Sequence, residues 1–154
     1  MSKIEQRLNE LGVTLPPVVP PVAAYTPALR DGDLVYTSGQ LPMINGELTV
    51  TGKVGGTISA DQAQELAKVC AINALAAIKE AIGDLDKIER IVKVVGFVSS
   101  APDFTGQPAV VNGASEFLGE VFGEQGVHAR SAVGVAVLPL DAPVEVEVTV
   151  RVAD

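Results

Sequence analysis

The chain has 154 residues, 47% of them apolar and only 19% charged, a globular composition sized for one domain rather than two. Its formal charge of −8, from 19 acidic and 11 scattered basic residues, disfavours nucleic acid and anionic membrane as partners. One cysteine, Cys70, cannot form an internal disulfide, and together with a single histidine, His128, it argues against a metal site of the Cys/His kind. The opening MSKIEQRLNELG lacks the apolar centre of a signal peptide, and no run approaches the roughly 18 apolar residues of a membrane span, so the expected location is the cytoplasm. Small apolar residues are more abundant than one small domain readily hides, which predicts a homo-oligomer.

In chain order, Ser2 with Glu5 fits a capping box, Ile4, Leu8 and Leu11 share one helical face, and Gly12 can end the turn, so a short amphipathic helix is expected over 2–11. LPPVVPPV follows, and four prolines in eight residues forbid helix and interior strand alike. The division is therefore a helix and Pro-rich strap over 1–22 and a domain over 23–154. Two short strands between Ala23 and Gly39 are joined at Arg30-Asp31-Gly32-Asp33, where Asp-Gly suits a tight hairpin. A third short strand is expected over 47–50 after the Asn45-Gly46 turn. Glycines 52, 55 and 56 form a loop without the Gly-Lys-Ser/Thr ending of a nucleotide-binding loop, which reads as backbone geometry.

Ser59 and Gln62 open a long helix running to about Ile82, with Ala63, Leu66, Ala67, Cys70, Ala74, Ala77, Ile78 and Ala81 at helical spacing. Cys70 lies within that stripe and reads as a small buried hydrophobe. IVKVVGFVSS over 91–100 is a β-branched strand, 107–122 is a second helix, and 129–138 and 144–152 are two more strands. The order β-β-β-α-β-α-β-β predicts an α/β (α+β) mixed sheet with both long helices on one face.

Alternation along the last two strands sorts their side chains. Arg130, Ala132, Gly134 and Ala136 share one face, and Val133, Val135 and Val137 the other; the valine face is expected beneath the helices. Val144, Val146 and Val148 take the core side of the final strand, so Glu145 and Glu147 point away. Paired as a hairpin around LPLDAP, the two strands would set Arg130 and both glutamates on the same helix-free face. That grouping is either a salt bridge on an open sheet or an arginine fork for a substrate carboxylate with a glutamate to position water. His128 shares Arg130's face, has no obvious Ser or Cys partner in sequence, and is placed at the rim of the strand. Asn112 is either a core amide or a pocket amide, Tyr25 fits core, interface or pocket, and Ser38-Gly39 ends a strand.

YTSGQLP at 36–42, HARSAVGVAVLP at 128–139 and VEVEV at 144–148, with Tyr25 ahead of Ser38, together resemble the RidA/YjgF family of reactive-intermediate deaminases over about residues 23–152. The resemblance implies a chorismate-mutase-like fold, a homotrimeric barrel with pockets at subunit clefts, and hydrolysis of enamine and imine acids of the 2-aminoacrylate and 2-iminopropionate type to 2-keto acids and ammonia. It implies that Arg130 grips the substrate carboxylate, that Glu145 holds the attacking water, that Tyr25, Ser38, Gly39 and Asn112 line the pocket, and that no metal or organic cofactor takes part. Departures are Ala132, where many members carry cysteine, PPVAAY in place of a Gly-Pro-Tyr approach, and the added helix and strap. Two further activities compete: a non-catalytic trimer binding keto acids or other small carboxylates in the same pocket, and an endoribonuclease or translation inhibitor, against which the acidic balance and single histidine argue.

Overall fold

The computed structural model describes residues 2–21 and 23–154; Met1, and Val22 at the end of the expected strap, lie outside the described residues. Helix α1, Lys3–Glu10, is capped by the Ser2 side chain, which accepts from the Glu5 N–H as the capping pattern predicts. A second cap comes from outside the helix, since the Asp86 carboxylate accepts from the backbone N–H groups of Lys3 and Ile4, both at 2.9 Å. Those two hydrogen bonds hold the Asp86 carboxyl below the ordinary carboxylate range. An ion pair between Lys79 and Glu5 and a hydrogen bond from Arg7 Nε to the Glu120 carbonyl further fasten α1 to the domain.

Strands β1, Ala28–Asp31, and β2, Leu34–Thr37, form the expected Asp-Gly hairpin, with Gly32 at φ +65°. The single strand expected over 47–50 is instead a separate hairpin of β3, Met43–Ile44, and β4, Glu47–Leu48, turned by Asn45 and Gly46, both at positive φ. Helix α2, Ala60–Ile82, is capped by Ser59 and ends at Gly83. Strand β5, Ile88–Ser99, helix α3, Gln107–Phe122, strand β6, Ala129–Val135, and strand β7, Val144–Val152, complete the chain. The main sheet runs β1-β2-β7-β5-β6, with α2 and α3 on one face. No helix among the described residues is long and apolar enough to cross a membrane.

The expected hairpin of β6 with β7 does not form. β6 pairs in parallel with β5 through the α3 crossover, β7 pairs antiparallel with β5 on its other side, and β5 therefore separates the two. The 136–143 connection is long enough to step across one intervening strand, a distance of about 10 Å at normal strand spacing. It wraps the end of β5, whose Ser99 N–H donates to the Pro143 carbonyl and whose neighbour Ser100 N–H donates to the Val135 carbonyl. Local sequence carries the turn signal but not the identity of the strand in between.

Alternation holds for β7, where Val144, Val146, Val148, Val150 and Val152 are buried and the glutamates face away. For β6 the two faces are the reverse of the expectation. The parallel register sets Arg130 beside Val94 and Ala132 beside Gly96, on the helix side, and Ala132 packs against the main core. Val133 lies beside Phe97 on the helix-free face and is 44% exposed. The physical reason is the close approach of α3. A Cβ on Gly96 would collide with Val111, so the sheet under α3 admits only small side chains near that point.

α3 also meets α2 closely, because a Cβ on Gly113 would land on the Gln64 carbonyl oxygen. The Gln64 side chain returns the contact by donating to the Ala109 carbonyl at 2.7 Å. Gly113→Ala should therefore force the two helices apart and destabilise the domain by about 2 kcal/mol. Urea unfolding reads the effect as a lower midpoint, and an unchanged midpoint would show that the helix contact yields at no cost.

A candidate active site in two halves

Arg130 sits on the edge strand β6 and reaches up to α3, where every acceptor it meets is neutral. Nη1 donates to Asn112 Oδ1 at 2.7 Å and to Ser115 Oγ at 3.3 Å, and Nη2 donates to the Pro108 carbonyl at 3.2 Å. A guanidinium has five N–H donors, so Nε–H and one donor on Nη2 remain after these three. Among the described residues no carboxylate pairs with Arg130. The salt-bridge alternative from sequence is thus excluded within the protomer, since Glu145 and Glu147 lie on the opposite face of the sheet.

Asn112 and Ser115 are three residues apart on α3 and so share the helix face above β6. Asn112 is half-buried, with its carbonyl oxygen committed to Arg130. His128 stands at the entrance of β6, at the expected rim, but it does have a serine partner: Nε2 lies 2.9 Å from Ser115 Oγ and Nδ1 lies 2.6 Å from the Gly126 carbonyl. Sequence reasoning missed Ser115. Its spacing from Asn112 was the available signal, legible once α3 was known to cross over Arg130.

The second half gathers around Glu145 on the helix-free face. Gln40 exchanges two backbone hydrogen bonds with Val146, at 2.8 and 3.0 Å, which draws the 38–41 segment alongside β7. Gly39 then lies against the Glu145 carboxylate so closely that a Cβ would occupy the carboxylate's place. Ser38 Oγ donates to the Thr26 carbonyl at 2.6 Å, which fixes the chain leading from Tyr25. Tyr25, Pro27, Gly39 and Gln40 line a cavity of about 30 Å³ closed by Val19, Pro20 and Pro21 of the strap. Tyr25, Ser38, Gly39 and Glu145 therefore assemble, as do Arg130 and Asn112, but the protomer does not bring the two groups together.

Electrostatically the halves differ. Burial raises the Glu145 carboxyl above the ordinary carboxylate range, and the neighbouring Glu147 charge adds to the rise. Arg130 offers the complementary fixed positive charge. Cys70, fully buried in α2, has its thiol pushed well up by burial and donates weakly to the Val144 carbonyl, which fits the structural role read from sequence. No group of three or more His, Cys, Asp or Glu among the described residues could hold a metal ion.

Comparison with known proteins matches residues 5–150 to a family described as "YjgF/chorismate_mutase-like, putative endoribonuclease". Protein TCP17 of Trypanosoma cruzi is 40% identical over 151 residues, covering 97% of this chain and 94% of the relative. The 2-iminobutanoate/2-iminopropanoate deaminase of Escherichia coli strain K12 is 35% identical over 128 residues, covering 82% and 85%. The crystal structure of Atu1372 from Agrobacterium tumefaciens superposes with a TM-score of 0.91 at 49% identity, covering 97% of this chain and 92% of that one.

The raised Glu145 carboxyl has a consequence for stability. The folded state holds that proton more tightly than the unfolded chain does, so the associated stability is full below the unfolded value and is lost as pH rises through the folded one. Glu145→Gln cannot ionise, and its urea midpoint should rise relative to the native chain as the pH is raised above the ordinary glutamate value of about 4.3. A midpoint difference that stays flat above that value would contradict a proton-binding Glu145.

Proposed function

The chain belongs to the YjgF/RidA, chorismate-mutase-like family, and from that premise we propose that it hydrolyses enamine and imine acids to 2-keto acids and ammonia in clefts between copies of itself. The observation that carries this reading is the state of Arg130. Its guanidinium is oriented by three neutral acceptors, has two donors left, and pairs with no carboxylate among the described residues of its own protomer. A fixed, unneutralised fork of that kind suits a planar carboxylate delivered by a ligand.

The helix-free face supports the assembly. Val133 and Tyr36 are exposed there, Val95 and Phe97 are half-buried, and Glu145 rises beside them at the rim. Packing three such faces together would bury the apolar strip and carry the Arg130 edge of one copy toward the Glu145 half of the next. The homotrimer is part of this proposal, as are a cytoplasmic site of action and a reaction without a metal or organic cofactor.

In the proposed reaction Arg130 holds the substrate carboxylate and so fixes the imine carbon in position. Glu145, with a carboxyl poised above the ordinary range, orients a water and accepts its proton as the oxygen adds to the C=N carbon. With the imine nitrogen protonated, addition gives a neutral carbinolamine. Its nitrogen takes the proton back from Glu145, and the C–N bond breaks to release ammonia. As the C=O bond forms, the hydroxyl proton passes to the freed Glu145 carboxylate, and from there to the ammonia that leaves as ammonium. One water is consumed and one ammonia released. Gly39 gives the carboxylate its place, and Tyr25 and the strap close the pocket on the side-chain end. The acidic surface gives no comparable footing to the endoribonuclease description that some relatives carry.

The test is to generate 2-aminoacrylate or a longer imine with an amino-acid oxidase or lyase and follow ammonia release with and without the protein. Acceleration over the free-solution rate is expected, and Arg130→Ala should reduce it by a factor of about 100 or more. No acceleration with any of several side chains, combined with saturable keto-acid binding, would leave a carboxylate-binding trimer; retained activity in Arg130→Ala would overturn the assigned site.

A further inference from the structure

The hydrogen-bonded row behind Arg130 is longer than carboxylate binding requires. It runs Gly126 carbonyl, His128, Ser115, Arg130, with separations of 2.6, 2.9 and 3.3 Å, and all three side chains are partly buried. A backbone carbonyl can only accept, so Nδ1 of His128 carries a proton. In the neutral imidazole Nε2 is then an acceptor, and the Ser115 hydroxyl donates to it. The lone pairs of Ser115 Oγ are left facing Nη1 of Arg130.

This direction is not the one a helical serine takes by itself. Mid-helix serine tends to turn its hydroxyl back onto a carbonyl of the preceding turn of its own helix. At Ser115 the imidazole competes for that proton. Asn112 takes one of the two Nη1 donors at 2.7 Å and Ser115 the other at 3.3 Å, so both hydrogens of Nη1 are held from α3. The two remaining donors are on Nε and Nη2, not on the nitrogen that Asn112 and Ser115 hold.

We propose that Ser115 and His128 are positioning residues for Arg130: the His128 tautomer, set by the Gly126 carbonyl, aims the Ser115 hydroxyl so that Arg130 is locked with its free edge toward the carboxylate of an incoming substrate. Neither side chain touches the substrate. The inference rests on the carboxylate-receptor reading of Arg130, and it adds that the receptor is pre-set by a relay built from α3 and the entrance of β6. Because the relay orders Arg130 equally for bound substrate and transition state, its loss is felt in binding and hardly in turnover.

Binding of pyruvate, as a representative 2-keto acid, is measured by calorimetry on the full chain, alongside KM and kcat in the ammonia-release assay. His128→Leu and Ser115→Ala should each weaken pyruvate binding and raise KM by about tenfold, the scale of one hydrogen bond to a charged group, with kcat little changed. His128→Gln, whose amide oxygen can accept from Ser115, and Ser115→Thr should restore most of the loss. The double variant Ser115→Ala with His128→Leu should be no worse than either single one, since both break the same relay.

Unchanged KM and pyruvate affinity in His128→Leu would overturn the proposal, as would a loss that His128→Gln fails to restore. If His128→Leu does not fold, the Ser115→Ala and Ser115→Thr pair decides the matter on the same readouts. Arg130→Ala in the same titration separates this inference from the one beneath it. Pyruvate binding equal in Arg130→Ala and the native chain would remove the receptor reading itself, whereas binding lost in Arg130→Ala but intact in His128→Leu would remove only the relay.

Discussion

The close seating of α3 is the constraint on which the rest of the structure depends. Two glycines permit it: Gly113 lets α3 lie against the α2 backbone at Gln64, and Gly96 opens the sheet to Val111. At that depth Asn112 and Ser115 reach Arg130, and the Pro108 carbonyl completes the set of neutral acceptors. Were α3 a few tenths of an ångström higher, the bonds to Ser115 and the Pro108 carbonyl, already 3.3 and 3.2 Å, would stretch toward the limit at which they cease to direct a side chain. The fold thus spends two backbone contacts on orienting one cation.

The pleat of the sheet accounts for the other half. Five valines of β7 fill the core beneath the helices, and the same alternation must throw Glu145 to the far side. Arg130 and Glu145 are therefore separated by the sheet, one above it under α3 and one below it against Gly39. Their opposite placement excludes a mutual salt bridge in the protomer and leaves both charges for something else to pair with. In the proposed cleft shared by two copies, a ligand carboxylate would pair with the one and a water with the other.

Much of this architecture was legible in the sequence because its signals are local. The Ser2 and Ser59 caps, the Asp31-Gly32 and Asn45-Gly46 turns, and the valine alternation of β7 each depend on residues within one turn or one strand. The failures share a cause in long-range pairing. Nothing near LPLDAP reveals that β5 lies between β6 and β7, and with that strand unknown the face of β6 was inverted and Arg130 was placed among the glutamates. Ser115 was overlooked for the same reason, since its partner His128 belongs to a strand entrance reached only through the crossover. The motif-based resemblance pointed to Arg130, Asn112 and Glu145 without needing that pairing, because motif spacing is independent of which face each residue takes.

The central claim is that an Arg130 half and a Glu145 half from different copies make one working cleft. Mixing refolded Arg130→Ala chains with Glu145→Gln chains tests it most directly, because each variant alone lacks one half in every cleft. Equal mixing should restore about a quarter of the clefts, each with a native arginine from one copy and a native glutamate from its neighbour. Imine-dependent ammonia release rising toward that fraction is the predicted result. Mixed assemblies as inactive as either parent would contradict the account.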